Sequence, residues 1–365
     1  MTIGIGGAGG RLAAKLDPNA TVVNVSESEL NKVDAARRIL AAVHTPRGQF
    51  RGSRKNPQIG REAYGSVKRE LVELIRGQLV FSSTGGGTGN GITSGLLVDL
   101  AATEAIPIPD KTFFGLILPY PTLEPAEYIK NTSEFLQGAL SAAIDSGNTG
   151  NIVLFSNRLK FESRLAEDAF NQMLVESLKV FLAVPEKNDN LRLLDGHIDY
   201  EDFNLYLSRP FFNHFTYFEY DSKVAFEKQL RANPNPLLLA PEAPIEALFL
   251  LEVPQGGDPT VFYDILQYFA EKNVSPVYSV VENPDREEPF VTVSLLYSRK
   301  PAELLQDFNR ISEEHAKAKV RKSMEQLVEL PILNVNLESE AKRVARQRGG
   351  TESDILVVLR RLGKL

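Results

Sequence analysis

Residues 84–91, Thr-Gly-Gly-Gly-Thr-Gly-Asn-Gly, put five glycines into seven positions directly after the apolar run LVFSS and at the opening of a helical pattern. A strand-to-helix turn suits that density. Glycine lets the backbone approach a bound group closely, and successive N–H groups then form a nest for an anion. A second turn of this kind opens the chain, where Gly4-Ile5-Gly6-Gly7-Ala8-Gly9 satisfies G-x-G-x-x-G immediately after the strand pattern Thr2–Ile5. The helix that follows offers unpaired N–H groups and the positive end of its dipole. Alone, this first loop fits a tight turn without a ligand, or a nicotinamide-dinucleotide fold in which Glu27, about 20 residues on, would meet a ribose. A dinucleotide fold has no need of the second loop. Two glycine loops from neighbouring strands can grip one polyphosphate from both sides, with the Thr88 hydroxyl added. No G-x-x-x-x-G-K-[ST] occurs, so the chain is not a P-loop protein.

The loops sit in an alternating pattern. Strand-like runs at Thr2–Ile5, Thr21–Val25, Leu79–Ser82, Thr112–Leu118 and Asn151–Phe155 alternate with helical stretches at Arg61–Arg76, Gly91–Glu104 and Pro125–Ile144. That order predicts βαβ units on a parallel sheet, with ligands at the carboxyl ends of the strands. Phe161–Val184 reads as one long helix closed by Pro185, with Phe170, Leu174, Leu178 and Phe181 on its buried stripe. Beyond the proline-rich stretch Asn233–Pro244, a compact α+β unit is expected: strand Ile245–Val253, helix Pro259–Lys272, and strands Val274–Val281 and Pro289–Tyr297 paired with each other. A further helix spans Pro301–Met324.

Composition closes off several classes. The 365 residues contain no cysteine and only four histidines, which excludes a disulfide framework, a thiol nucleophile and a thiolate metal site and disfavours a histidine-rich one. No apolar run approaches the ~20 residues of a membrane span, and no signal-peptide pattern opens the chain, so a cytoplasmic protein is expected. The net charge of −6 argues against a protein that coats nucleic acid. Residues 340–365 nevertheless carry seven basic side chains against three acidic ones. A basic tail on an acidic body suits an anionic partner or an adaptor, or serves solubility alone.

GGGTGNG resembles the signature loop of the tubulin/FtsZ superfamily of filament-forming GTPases, and other segments follow in that family's order over roughly residues 1–300. The resemblance implies a Rossmann-like parallel-sheet GTPase domain over 1–184, a catalytic loop and connecting segment over 185–244, an α+β domain over 245–300, and a C-terminal helix and tail over 301–365. It implies GTP/GDP as ligand, with Mg²⁺ held mainly by the phosphates and by no assigned protein group. Gly6, Gly7, Gly9, Gly10 and Arg11 would form one phosphate loop, and Gly85, Gly86, Gly87, Thr88, Gly89 and Asn90 the other. Asn24, in Asn-Val-Ser, matches a further nucleotide loop. Asn56 belongs to GSRKNPQIGR, which is similar to a loop that contacts the γ-phosphate. Pro119 and Glu124 bound the ribose loop. Asn157 and Asn171 match two asparagines that read guanine, and an amide, both donor and acceptor, suits that edge.

In the same family, acidic residues after the long helix enter the next subunit's nucleotide pocket. Asp199 and Asp202, in LDGHIDYED, have that spacing, which implies a head-to-tail homopolymer whose GTPase site two subunits share. A helix starting at Asp199 would project both from its first turn; N-capping by Asp199 with Asp202 in solvent is the structural alternative. Four positions depart from the pattern: His197 replaces an asparagine usual in cell-division relatives, Glu167 replaces an aromatic that stacks on guanine, Arg11 replaces an uncharged residue, and Pro121 is an extra proline in the ribose loop. The trailing helix is similar to that of the TubZ and phage-tubulin branch, which moves plasmid or phage DNA through adaptors, so DNA contact would be indirect. Asp354-Ile355 and Leu359-Arg360-Arg361 instead resemble the tail of the cell-division branch. A nicotinamide-linked oxidoreductase built on the first loop, and a scaffold that binds GTP without hydrolysing it, are the readings of other classes.

Overall fold

The computed structural model describes residues 1–45, 48–49, 51–232 and 244–298, together with 309–311, 313–314, 316–318 and 320–323, which are helical. The chain forms two compact units, Met1–Glu314 and His315–Leu365. The tail 340–365 and most of the proline-rich stretch lie outside the described residues.

The first unit is built on one sheet. Its first half contains β1 (Thr2–Ile5), α1 (Gly6–Leu16), β2 (Thr21–Asn24), β3 (Arg37–Leu40), α2 (Pro57–Leu74), β4 (Leu79–Ser83), α3 (Gly87–Ala102), β5 (Thr112–Leu118) and β6 (Thr149–Ser156), with α4 between the last two strands. Helix α4 runs from Ala126 to Asp145 with a π-helical turn at Leu136–Leu140. Then follow α5 (Glu167–Leu182), α6 (Val184–Asn190), β7 (Arg192–Gly196), α7 (Tyr200–Leu207), β8 (Phe212–Glu219), α8 (Phe226–Ala232), β9 (Glu246–Val253), α9 (Phe262–Glu271), β10 (Val277–Glu282) and β11 (Phe290–Tyr297). The strand order is β3-β2-β1-β4-β5-β6-β8-β11-β9-β10-β7. All pairs from β3 to β6 are parallel. Strand β8 joins β6 through the single register pair Phe212 opposite Ile152, and β11 then lies antiparallel between β8 and β9.

Strands β1, β2 and β5 are buried along their whole length, as a parallel sheet covered on both faces requires. Side chains alternate between two cores because successive residues of a strand point to opposite faces. Ile152 and Leu154 of β6 join α2, α3, α4 and α9 on one face. Val153 and Phe155 join α1, α5 and α7 on the other. The apolar stripe of α5 packs as its spacing predicts, with Phe170, Leu174, Leu178 and Phe181 all buried. Phe181 stacks on Phe215 of β8 at 4.5 Å and meets Phe203 of α7 at 5.2 Å, which ties the end of α5 to the segment beyond it.

Three expectations are corrected. The stretch 161–184 is not one helix: Arg158–Glu162 forms a separate turn, Arg164 is left-handed (φ 52°), and α5 opens at Glu167. Glu167 and Asp168 favour that start because carboxylates complement a helix N-terminus. Pro185 does not close the helix but sits in the first turn of α6, where the missing N–H costs nothing. Strands β10 and β11 do not pair with each other, because β9 lies between them. A β9–α9–β10 crossover places β10 parallel beside β9 and leaves the other edge of β9 for β11. Strands β3, β7 and β8 had no counterpart in the expected pattern.

Candidate functional site

The two glycine loops meet at the carboxyl ends of β1 and β4. Gly6 has φ 75°, and a Cβ there would lie 2.8 Å from the Gly89 nitrogen, so the loops are in contact. Helix α3 begins at Gly87 rather than Gly91, so the loop already forms the first helical turn. Neither α1 nor α3 has a side-chain cap or an acidic residue in its first turn. Both therefore leave N-terminal N–H groups and positive dipole ends facing the same space.

That space is a cleft of about 530 Å³, within the range of small-molecule sites. Eleven of the residues assigned to the nucleotide in the sequence line it: Gly7, Arg11, Gly85, Gly86, Gly87, Thr88, Gly89, Pro119, Glu124, Asn157 and Asn171. Arg11, Arg51, Arg54, Lys55 and Lys160 face Glu29, Glu124 and Glu167 across it, a balance that favours an anion. The other predicted residues stand behind the lining. Gly9 packs against the Phe81 carbonyl and Gly10 against Val22, which lets α1 lie close on the sheet. Asn90 donates to the carbonyls of Thr84 and Asn131. Asn56 is exposed and caps α2 by accepting the Gln58 N–H at 2.9 Å. Asn24 is buried; its side chain accepts the Ser26 N–H at 3.1 Å and donates to Glu29 at 2.9 Å, so it positions a lining residue.

Loop 51–56 closes one side. Arg54 (φ 49°) and Lys55 (φ 62°) are consecutive non-glycine residues in the left-handed region, a conformation that costs about 1–2 kcal/mol per residue. Asn131 of α4 donates to the Lys55 carbonyl at 3.1 Å and to the Gly85 carbonyl at 2.9 Å, pinning this loop to the second glycine loop. The Lys55 ammonium lies over the Tyr128 ring, 5.1 Å from its centre.

At the opposite end of the cleft, Glu124 accepts from the Tyr120 N–H and, at 3.1 Å, from Asn157. Burial raises its pKa, outweighing those two bonds and the nearby Lys160, which lower it. Asn171 of α5 is 8% exposed, lines the cleft, and has no hydrogen-bond partner among the described residues. Its amide therefore faces the cleft with a donor and an acceptor that a ligand can use. Glu27 is exposed and does not line the cleft, so the ribose contact of the dinucleotide reading is absent.

Asp199 and Asp202 lie elsewhere. Asp199 caps α7 by accepting the Asp202 N–H at 2.8 Å, and Asp202 is exposed. Possible ligand atoms of His197, Asp199 and Asp202 all lie within 4.8 Å of one another, a spacing that a cation could bridge. Between His197 and Asp199, buried Ile198 donates its N–H to Asn188 of α6 at 3.3 Å. Helix α6 is held in turn by Lys187, which reaches the fully buried Glu252 of β9 alongside Arg286 and Asn283. Helix α7 packs at the start of β6, where Asn151 donates to the Tyr206 carbonyl at 3.0 Å. The cleft lies past the end of β6, at Asn157. Six residues of strand separate the two, about 20 Å. Sequence reasoning missed Glu29, Lys160 and Tyr128, which line the cleft only through tertiary packing, and Asn131, which pins its loops.

No protein-family model and no curated protein matches the sequence. Solved structures do. A GTPγS-form protofilament of TubZ from Bacillus thuringiensis serovar israelensis aligns with a TM-score of 0.71 at 15% identity, over 88% of this chain and 93% of that one. TubZ of Clostridium botulinum phage c-st gives 0.63 at 17% identity, over 87% and 98%. An FtsZ dimer from M. jannaschii gives 0.59 at 20% identity, over 82% and 88%. At these identities the likeness is one of architecture: the chain has the fold of the tubulin/FtsZ superfamily.

Proposed function

We propose that the protein binds GTP in the cleft, hydrolyses it to GDP and phosphate, and polymerises head-to-tail into filaments. The observation that carries this reading is that α7, the helix Asp199 caps, packs through Tyr206 at the start of β6, whereas the anion-binding cleft lies past that strand's end. One copy cannot bring them together. A second copy stacked on the first in the same orientation can, and such heterologous contacts, when they do not close, generate filaments. The TubZ structure from B. thuringiensis is itself a GTPγS-form protofilament.

In this reading the N–H groups at the starts of α1 and α3 cradle the phosphates, while Lys55 and the neighbouring arginines neutralise their charge. Asn157 and Asn171 read the base edge, and Glu124 sits beside the sugar. Mg²⁺ carried with the phosphates supplies further charge neutralisation. Phosphoryl transfer to water needs little else than positioning and electrostatics, and Asp199 and Asp202 of the adjacent copy orient the attacking water. The TubZ-like fold supports a role in moving plasmid or phage DNA, with the basic residues 340–365 as the link to an adaptor or other anionic partner. No helix among the described residues is long and apolar enough to cross a membrane. The N-cap bond of Asp199 favours one alternative, a filament that binds GTP without hydrolysing it.

The test is phosphate release from GTP with Mg²⁺ over a range of protein concentrations, for the wild type and Asp202→Ala. A threshold concentration for the wild type, with filaments but little release for Asp202→Ala, is expected. A rate strictly proportional to concentration would remove the shared site, and unchanged GTP in assembled wild-type filaments would favour the non-hydrolysing alternative.

A further inference from the structure

Arg11 lies in the second turn of α1 and lines the cleft, yet its guanidinium is ion-paired with Glu167, the first residue of α5. Its Nη1 is 3.3 Å from the point where a Cβ on Gly7 would stand, so the charge hangs over the part of the first glycine loop that faces the cleft. This is the anion-binding end of α1. Glu167 stands one turn before Asn171 on the same side of α5. Arg11 thus spans from the phosphate end of the cleft towards its base end, and a carboxylate of the protein occupies the place of an anion.

The pair is weak by position. The two side chains are 47% and 48% exposed, and ion pairs this open to water contribute little. A phosphate offers the same guanidinium a stronger, two-pronged partner. Glu167 is also not required to hold the helices together, because Lys15 of α1 and Asp168 of α5 form a second ion pair beside it.

We propose that Glu167 is an internal counter-ion that competes with the nucleotide's phosphates for Arg11, so that Arg11 exchanges Glu167 for a phosphate oxygen on binding and Glu167 sets the affinity. The proposal rests on the reading that the cleft takes a guanine nucleotide. It goes beyond that reading by assigning an affinity-limiting role to a carboxylate of the cleft wall.

The experiment is calorimetric titration of the full chain with GDP and, separately, with guanosine, which lacks phosphate. Glu167→Gln should bind GDP about two- to fivefold more tightly than the wild type and guanosine equally well. Arg11→Ala should bind GDP about tenfold more weakly, and the double variant should match Arg11→Ala. Asp168→Asn, which breaks only the neighbouring pair, should leave both affinities unchanged, and thermal melting of each variant reports folding separately. Weaker or unchanged GDP binding by Glu167→Gln overturns the proposal, as does equal tightening by Asp168→Asn or a parallel change with guanosine. A wild type that binds no GDP overturns the reading of the cleft itself and the proposal with it. A wild type that binds GDP beside a Glu167→Gln variant that gains nothing overturns the proposal alone.

Discussion

Asn171 and Glu124 are the two side chains whose condition in the fold calls most directly for a ligand. Asn171 lines the cleft and its side chain has no hydrogen-bond partner among the described residues, so its amide can both donate to and accept from a base edge. Asn171→Ala should therefore weaken GDP binding by about 1–3 kcal/mol, the cost of leaving the base's polar groups unmet, with a smaller effect on the melting temperature. Titration alongside thermal unfolding checks this, and equal loss in both would make Asn171 structural. Glu124 differs because burial raises its pKa above the ordinary 4.5. A carboxyl whose pKa rises on folding binds more protons in the native state, so folding is penalised above the folded pKa and relieved as pH falls towards 4.5. Glu124→Gln keeps an oxygen to accept from Tyr120 and Asn157. It should melt higher than the wild type at pH 7, with the gap shrinking between pH 7 and pH 4.5. A gap constant with pH would assign the effect to packing. These residues also mark how far the sequence could be read. Asn157, just after β6, and Asn171, on the helical pattern of α5, were reachable through the family resemblance, and the glycine loops because close backbone approach restricts the residue type. Glu29 and Asn131 were not, since their places depend on Asn24 and on the close approach of α4 to loop 51–56.

Helices α2 and α3 cross with their backbones nearly touching, and this crossing positions both the second glycine loop and loop 51–56. A Cβ on Gly91 would run into the Pro57 carbonyl and lie 2.6 Å from the Arg61 nitrogen. The obstacles are backbone atoms, which cannot rotate away. Gly91→Ala should destabilise the protein by about 1–3 kcal/mol through overpacking, read as a lower urea midpoint at an unchanged slope. It should also weaken GDP binding, because Gly87 touches Asn56 and Ser53 at the same contact. Unaltered stability would mean that the helices separate freely. At this scale the parallel half of the sheet was legible, since fully buried β-branched and aromatic runs alternate with helices long enough to cross over. The second half was less so. The residues of β8 do not show which strand it pairs with, and whether β10 meets β9 or β11 depends on the handedness of a crossover rather than on residue pattern. The break before α5 escaped because the apolar stripe continues in register, while the signal for a helix start was only the acidic pair Glu167 and Asp168.

The proposed division of labour between the two ends of the molecule makes a demand that single variants cannot meet. If the cleft of one copy works with the carboxylates of the next, two variants each impaired alone should rescue one another. Asp202→Ala keeps an intact cleft and presents a defective lower face. Asn171→Ala keeps Asp199 and Asp202 and has a weakened cleft. In a filament formed from equal amounts of both, a junction is competent only where an Asp202→Ala cleft meets the Asn171→Ala carboxylates. Random copolymerisation makes about a quarter of the junctions so, because a head-to-tail contact uses one surface from each copy. Phosphate release from the mixture should therefore approach about a quarter of the wild-type rate at equal total concentration, well above the sum of the two variants assayed apart. Rescue should vanish below the concentration at which filaments form, because dilution removes the junctions and leaves each fold intact. A mixture no faster than that sum, under conditions where light scattering shows mixed filaments, would place all catalytic groups within one chain and leave Asp199 with its helix cap as its whole role.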